Sequence, residues 1–130
     1  VTPEQLGELV DFISIDVAFI SLEKVLPVAT TLLKDTGSLV ALIKPQFEAG
    51  KENVGKGGIV RDSNIHKEVL HRILQVAYDC GLYIHGLTFS PIKGMEGNIE
   101  FLGYFKKYEE GALTINDELI DAVVTEAHSL

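Results

Sequence analysis

The chain has 130 residues, 46% of them hydrophobic and 23% charged. That composition excludes disorder and fits one globular domain able to bury roughly two-thirds of its unfolded surface. A net charge of −8, from 11 Lys and Arg against 19 Asp and Glu, makes the chain as a whole a poor nonspecific binder of nucleic acid.

Thr2-Pro3-Glu4-Gln5 reads as a helix start, with a Thr cap and Pro at the first helical position. Phe12 to Val17 reads as a strand ending near Asp16. Ser21 to Leu33 is expected to be helical, with Pro27 kinking it or marking its true beginning. Ser38 to Lys44 is a continuous apolar run after Gly37, the pattern of a strand buried on both faces. A loop with four glycines is expected over 45–62. A helix comes next, with Ile65, Val69, Ile73, Val76 and Cys80 on one stripe and Gly81 as its stop. Leu82 to Ser90 and Ile99 to Tyr108 read as strands joined by a turn-rich connector too short for a crossover helix, so they should pair antiparallel. Thr114-x-x-Asp117 is expected to cap a last helix with Ile115, Leu119, Val123 and Ala127 inward. The fold class is α/β: a partial sheet, mostly parallel, with one antiparallel strand near the C-terminus.

No apolar run reaches the ~20 residues of a membrane helix, and no signal-peptide pattern opens the chain. The single cysteine, Cys80, excludes an internal disulfide framework, fits a reducing, cytoplasmic compartment, and is most simply a core residue. The chain opens on Val1 rather than Met and is read as a piece of something longer. All 11 basic residues lie in 24–107, so a polyanion would approach that middle region.

Ligands of open α/β sheets bind beyond the carboxyl ends of parallel strands. Asp16 and Lys44 fall there. Glu100 starts a strand of opposite direction, so it falls on the same edge. Two carboxylates and a lysine make a proton-transfer site, although strand ends also carry charge for solvation alone. Gly50-Lys51-Glu52-Asn53-Val54-Gly55-Lys56 matches the phosphate-loop spacing, but Gly57 stands where the magnesium-holding Ser or Thr belongs. The segment is read as a basic loop, with Lys51, Lys56 and Arg61 either as substrate contacts or as plain surface. His66, His71, His85 and His128 lack metal-ligand spacing.

Asp16-Val17-Ala18-Phe19-Ile20-Ser21-Leu22, Ile43-Lys44-Pro45-Gln46-Phe47-Glu48, Gly57-Gly58-Ile59-Val60-Arg61-Asp62, Ser90-Pro91-Ile92 and Gly97-Asn98-Ile99-Glu100-Phe101 occur in that order. Together they resemble the hemolysin A (TlyA) family of S-adenosylmethionine-dependent rRNA ribose 2′-O-methyltransferases with an FtsJ-like catalytic domain. The resemblance implies a Rossmann-like sheet and a Lys-Asp-Lys-Glu tetrad, in which Asp16, Lys44 and Glu100 match the last three members. It implies Lys44 as general base toward the ribose hydroxyl, with Asp16 and Glu100 orienting. Asp16, Val17 and Phe19 would be cofactor contacts, and ribosomal RNA or a ribosomal subunit would be the partner. A lysine must be neutral to accept a proton, so burial or a second cation has to offset nearby carboxylates. The family's first tetrad lysine, glycine-rich cofactor loop and small S4-like RNA-binding domain would all precede residue 1. Residues 1–130 therefore match the C-terminal portion of the catalytic domain. Two other readings stay open: a membrane-damaging hemolysin, as the family name has it, and a non-catalytic interaction fragment. An incomplete sheet would also expose an edge through which the chain could pair with another copy.

Overall fold

A computed structural model describes residues 9–17, 20–49, 60, 62–90 and 98–129. The helix expected from Thr2 and most of the glycine-rich loop lie outside the described residues. The element order is β1 (Val10–Ile15), α1 (Leu22–Leu32), β2 (Leu33–Ile43), α2 (Pro45–Glu48), α3 (Ser63–Asp79), β3 (Tyr83–Phe89), β4 (Phe101–Lys106) and α4 (Asp117–His128). The four strands form one sheet in the order β1-β2-β4-β3. β1 runs parallel to β2, and β4 lies antiparallel to both β2 and β3. Three strands thus share a direction and one opposes them, as the sequence implies.

The core forms where the sheet meets the helices. Leu39, Ala41 and Ile43 of β2 and Phe101 and Phe105 of β4 are fully buried against Leu22 and Leu26 of α1, Leu70, Ile73 and Leu74 of α3, and Ile120 and Val124 of α4. The alternate strand residues Val40, Leu42, Leu102 and Tyr104 face the other side and are half-buried or exposed. Gly103 is required by close approach: a Cβ there would stand 2.6 Å from the Phe105 ring. Gly81 takes φ +90 and ends α3 in the left-handed region where glycine is favoured.

Several boundaries differ from the sequence reading. α1 starts at Leu22, capped by Ser21, so Pro27 lies inside the helix and does not mark its beginning. β2 begins at Leu33, directly at the end of α1, because Val10 of β1 pairs with Leu33 and the polar stretch Lys34–Thr36 is an exposed strand extension. Pro45–Glu48, expected as loop, is one helical turn. In α3 the buried stripe is His66, Val69, Leu70, Ile73, Leu74 and Ala77, while Ile65, Val76 and Cys80 are half-buried at its border. Asn116, and not Thr114, caps α4: its Oδ1 accepts from the Leu119 amide at 2.9 Å. Val123 and Ala127 are buried as expected, joined by Ile120 and Val124, while Leu119 is half-buried.

Glu48 ties this layer together. Its side chain is 2% exposed and accepts from Ser21 Oγ at 2.6 Å and from the Leu22 amide at 2.9 Å. A carboxylate at a helix N-terminus satisfies free amides and complements the helix dipole. Arg72 of α3 stands 3.5 Å from the same carboxylate, donates to the Glu48 carbonyl, and pairs with Glu23 at 2.7 Å. Glu48→Ala leaves these donors unpaired and is expected to cost about 2–4 kcal/mol in urea unfolding, with Glu48→Gln near half of that.

His66 is fully buried, and its pKa falls from 6.5 to about 4 through loss of hydration and the neighbouring His128, offset only in part by Val60 and Asp62. The unfolded chain therefore binds a proton that the folded ring refuses. This contribution is complete above about pH 6.5, is lost as the pH falls toward about 4, and amounts to ~3 kcal/mol. Unfolding free energies at pH 7 and pH 4.5 should show the decline, and the His66 ring proton resonances should stay at their neutral positions at pH 5.5. A ring titrating near 6.5 would refute the assignment.

Candidate active site

The carboxyl edge of the sheet carries the charged cluster. Asp16 follows β1 and Lys44 follows β2. Ile43 is paired with Phe101, so Lys44 and Glu100 each lie one residue beyond that pair on adjacent antiparallel strands. Lys44 Nζ is 2.6 Å from Asp16 Oδ1. The lysine side chain is 15% exposed and the aspartate 63%, so the amine is sheltered while its partner faces water. Glu100 is buried, and its Oε2 accepts from Gln46 Nε2 at 3.0 Å. The structure thus brings Asp16 and Lys44 into contact and sets Glu100 on the same edge, with Gln46 as its partner.

The backbone of Lys44 is fixed by the helical turn after it. Lys44 is the N-cap of α2, its carbonyl accepts from the Phe47 amide at 2.9 Å, and Pro45 occupies the first helical position. The turn closes on Glu48, which is clamped to α1 and α3. The lysine therefore projects from a short, pinned turn.

Reasoning from residue types did not single out Gln46, Asn98 or His66. Gln46 is one neutral amide in a stretch that reads as loop, and only its place in the Ile43–Glu48 string marked it. Its Nε2 must face Glu100, because the flipped amide would set an oxygen against a carboxylate. That leaves Oε1 buried with no hydrogen-bond partner among the described residues. Asn98 is buried, and its Oδ1 accepts from the Val60 amide at 2.9 Å.

Of the cofactor contacts expected from sequence, Val17 is half-buried against the core beside Asp16, and Phe19 lies outside the described residues. Lys51, Lys56 and Arg61 lie outside them too. Among the described residues no group of three or more His, Cys, Asp and Glu is arranged to hold a metal ion. A cleft of about 390 Å³ lined by Tyr78, Tyr83, Leu113 and Ile115 opens at the start of β3, the opposite end of the sheet, and shares no residue with the cluster. A sheltered lysine paired with an exposed carboxylate, on the edge that also holds a buried carboxylate, offers a ligand at this edge one cation and two acceptors.

The profile of the FtsJ-like methyltransferase family matches residues 1–107. YqxC of Bacillus subtilis (strain 168), which carries an rRNA methyltransferase name, is 49% identical over 120 residues, covering 91% of this chain and 43% of that protein. The 16S/23S rRNA (cytidine-2′-O)-methyltransferase TlyA of Mycobacterium tuberculosis is 36% identical over 122 residues, covering 94% of this chain and 45% of TlyA. A solved structure from Streptococcus thermophilus that carries the hemolysin name superposes with a TM-score of 0.89 at 45% identity, covering 99% of this chain and 46% of that one. The chain spans less than half the length of each of these proteins. By profile, identity and fold, it belongs to the FtsJ-like methyltransferase family.

Proposed function

We propose that the chain is the catalytic portion of an S-adenosylmethionine-dependent methyltransferase that modifies ribose 2′-hydroxyls of ribosomal RNA in the cytoplasm. The observation that carries this reading is the 2.6 Å Lys44–Asp16 contact on the sheet edge that also holds Glu100.

Two groups at this edge support the cofactor reading. Asp16 offers an exposed carboxylate suited to a cationic sulfonium or ammonium, and Gln46 Oε1 is a buried acceptor that a donor-bearing ligand would satisfy. When bound, S-adenosylmethionine supplies an electrophilic methyl group on a positively charged sulfur. Asp16, Val17 and Phe19 would line that side. Lys44, paired with Asp16 as an ammonium, must first give up a proton, which the family's preceding tetrad lysine would favour as a second cation. The neutral amine would then accept the proton of the ribose hydroxyl as its oxygen takes the methyl group and the carbon–sulfur bond breaks. Asp16 holds the amine toward the hydroxyl, and Glu100, fixed by Gln46, orients the sugar. Lys51, Lys56 and Arg61 would contact RNA phosphates, and an S4-like domain in the remainder of a longer protein would supply further contacts. The outer edge of β1 has no strand partner among the described residues, and we assign it to pairing with the rest of that protein or with a second copy.

No specific observation favours membrane damage. No helix among the described residues is long and apolar enough to cross a membrane, and α4 exposes Glu118, Asp121 and Glu126, an acidic face that anionic lipid repels.

In the full-length protein, Lys44→Ala is expected to reduce methyl transfer to rRNA by roughly 10²–10⁴-fold, the range for losing a general base, while the melting temperature stays close to wild type. Retained transfer would sink the reading. Gln46→Leu removes the amide that fixes Glu100, and a fall in kcat of about tenfold is expected from that lost hydrogen bond, read in the same assay.

A further inference from the structure

We propose that His66 is a positioning residue for this site: one buried ring, bridged to the C-terminal helix, holds the chain on both sides of Glu100. The inference rests on the reading of Glu100 as part of the active site.

His66 lies in the first turn of α3 and is fully buried. A buried imidazole needs partners for both ring nitrogens. Nε2 is 3.1 Å from the Val60 carbonyl oxygen. A carbonyl only accepts, so Nε2 carries the hydrogen. In the neutral ring Nδ1 is then bare and must accept, and it lies 2.7 Å from Nε2 of His128. His128 is therefore the donor, and its hydrogen sits on Nε2. The hydrogen-bond directions of the pair are fixed by one peptide carbonyl.

Val60 accepts from His66 through its carbonyl and donates through the amide of the preceding peptide group. Its amide gives a hydrogen bond to Asn98 Oδ1 at 2.9 Å, and Val60 and Asn98 are both buried. Asn98 lies two residues before Glu100. On the other side of Glu100, the Phe101 ring meets His66 edge-to-face with centroids 5.6 Å apart. Glu100 thus sits between two residues that lead back to the same ring. The groups facing that ring are His128 of α4, the Val60 carbonyl, Phe101 of β4, and Asp62 at the cap of α3. A leucine would fill the space without loss of hydration. The imidazole instead connects the residue after the glycine-rich segment, the approach to β4, and the last residue of α4.

The test uses the full-length protein with S-adenosylmethionine and rRNA. His66→Asn can meet His128 but is too short for Val60, whereas His66→Gln places an amide N–H where Nε2 stood. His66→Asn is expected to lower kcat about tenfold with KM for S-adenosylmethionine within about twofold, and His66→Gln to recover kcat to within about threefold. Amide hydrogen exchange over 98–101 should quicken about tenfold in His66→Asn and not in His66→Gln. Wild-type kcat and exchange in His66→Asn would overturn the proposal, and so would equal losses in both variants. Should His66→Asn fail to fold, His128→Ala removes the donor to Nδ1 from an exposed position. It should lower kcat severalfold and quicken exchange over 98–101, and unchanged exchange would count against the proposal. If the wild-type protein transfers no methyl group, the reading of function fails, and the exchange data alone decide whether His66 positions this segment.

Discussion

The reversal of β4 is the constraint on which the site depends. β4 enters the sheet between β2 and β3 and runs against both. The antiparallel ladder from Ser38–Lys106 to Ile43–Phe101 carries the start of β4 to the end of β2. Had β4 run parallel to β2, Glu100 would stand at the far edge, about 20 Å away for a strand of this length. The ladder is secured by packing. Phe101 and Phe105 bury completely on the helical side, and Gly103 between them leaves room for the Phe105 ring to lie against the backbone. Position on the edge is thus set by a hydrophobic pattern on residues that carry no charge.

The charged groups at that edge fall into two kinds. Glu48 and Glu100 are buried, and each has donors aimed at it: Ser21 Oγ, the Leu22 amide and Arg72 for the first, the Gln46 amide for the second. Burying a carboxylate without such partners would be prohibitive, so these contacts hold both side chain and backbone in place. Lys44 is embedded in this framework because Pro45–Glu48 comes directly after it. The Lys44–Asp16 contact is of the other kind, with one partner largely in water.

Periodicity sets how much of this was legible in the sequence. Strand ends are visible because apolar runs stop there, and Asp16, Lys44 and Glu100 stand at such stops. The reversal of the last strand was legible from the short connector after Ser90, which leaves no room for a crossover. α2 was not legible, since one helical turn is shorter than any window that detects a period. The start of β2 was hidden because Lys34, Asp35 and Thr36 are polar and carry no strand pattern, and the strand is extended back to Leu33 by its pairing with Val10. Thr114 and Asn116 are both acceptable caps by residue type, and tertiary packing of Ile120 and Val124 selects Asn116. His66 escaped because hydrophobic patterning has no symbol for a buried polar ring whose partners, Val60 and His128, are six and 62 residues away.

The two kinds of charge differ in how firmly they are held. An ion pair with one partner 63% exposed contributes about 0–1 kcal/mol to stability, so it separates easily. A pair that separates easily can admit a ligand without loss of the fold. The buried carboxylates cannot do this, because leaving their donors would strand a charge in the interior. Mobility is therefore confined to the exposed contact, and the groups beneath it, Gln46, Glu48 and Glu100, stay where the backbone puts them. The edge therefore combines buried carboxylates held in fixed positions with one lysine whose partner is exposed, which is the mixture of rigidity and exchange that a preorganised binding edge requires.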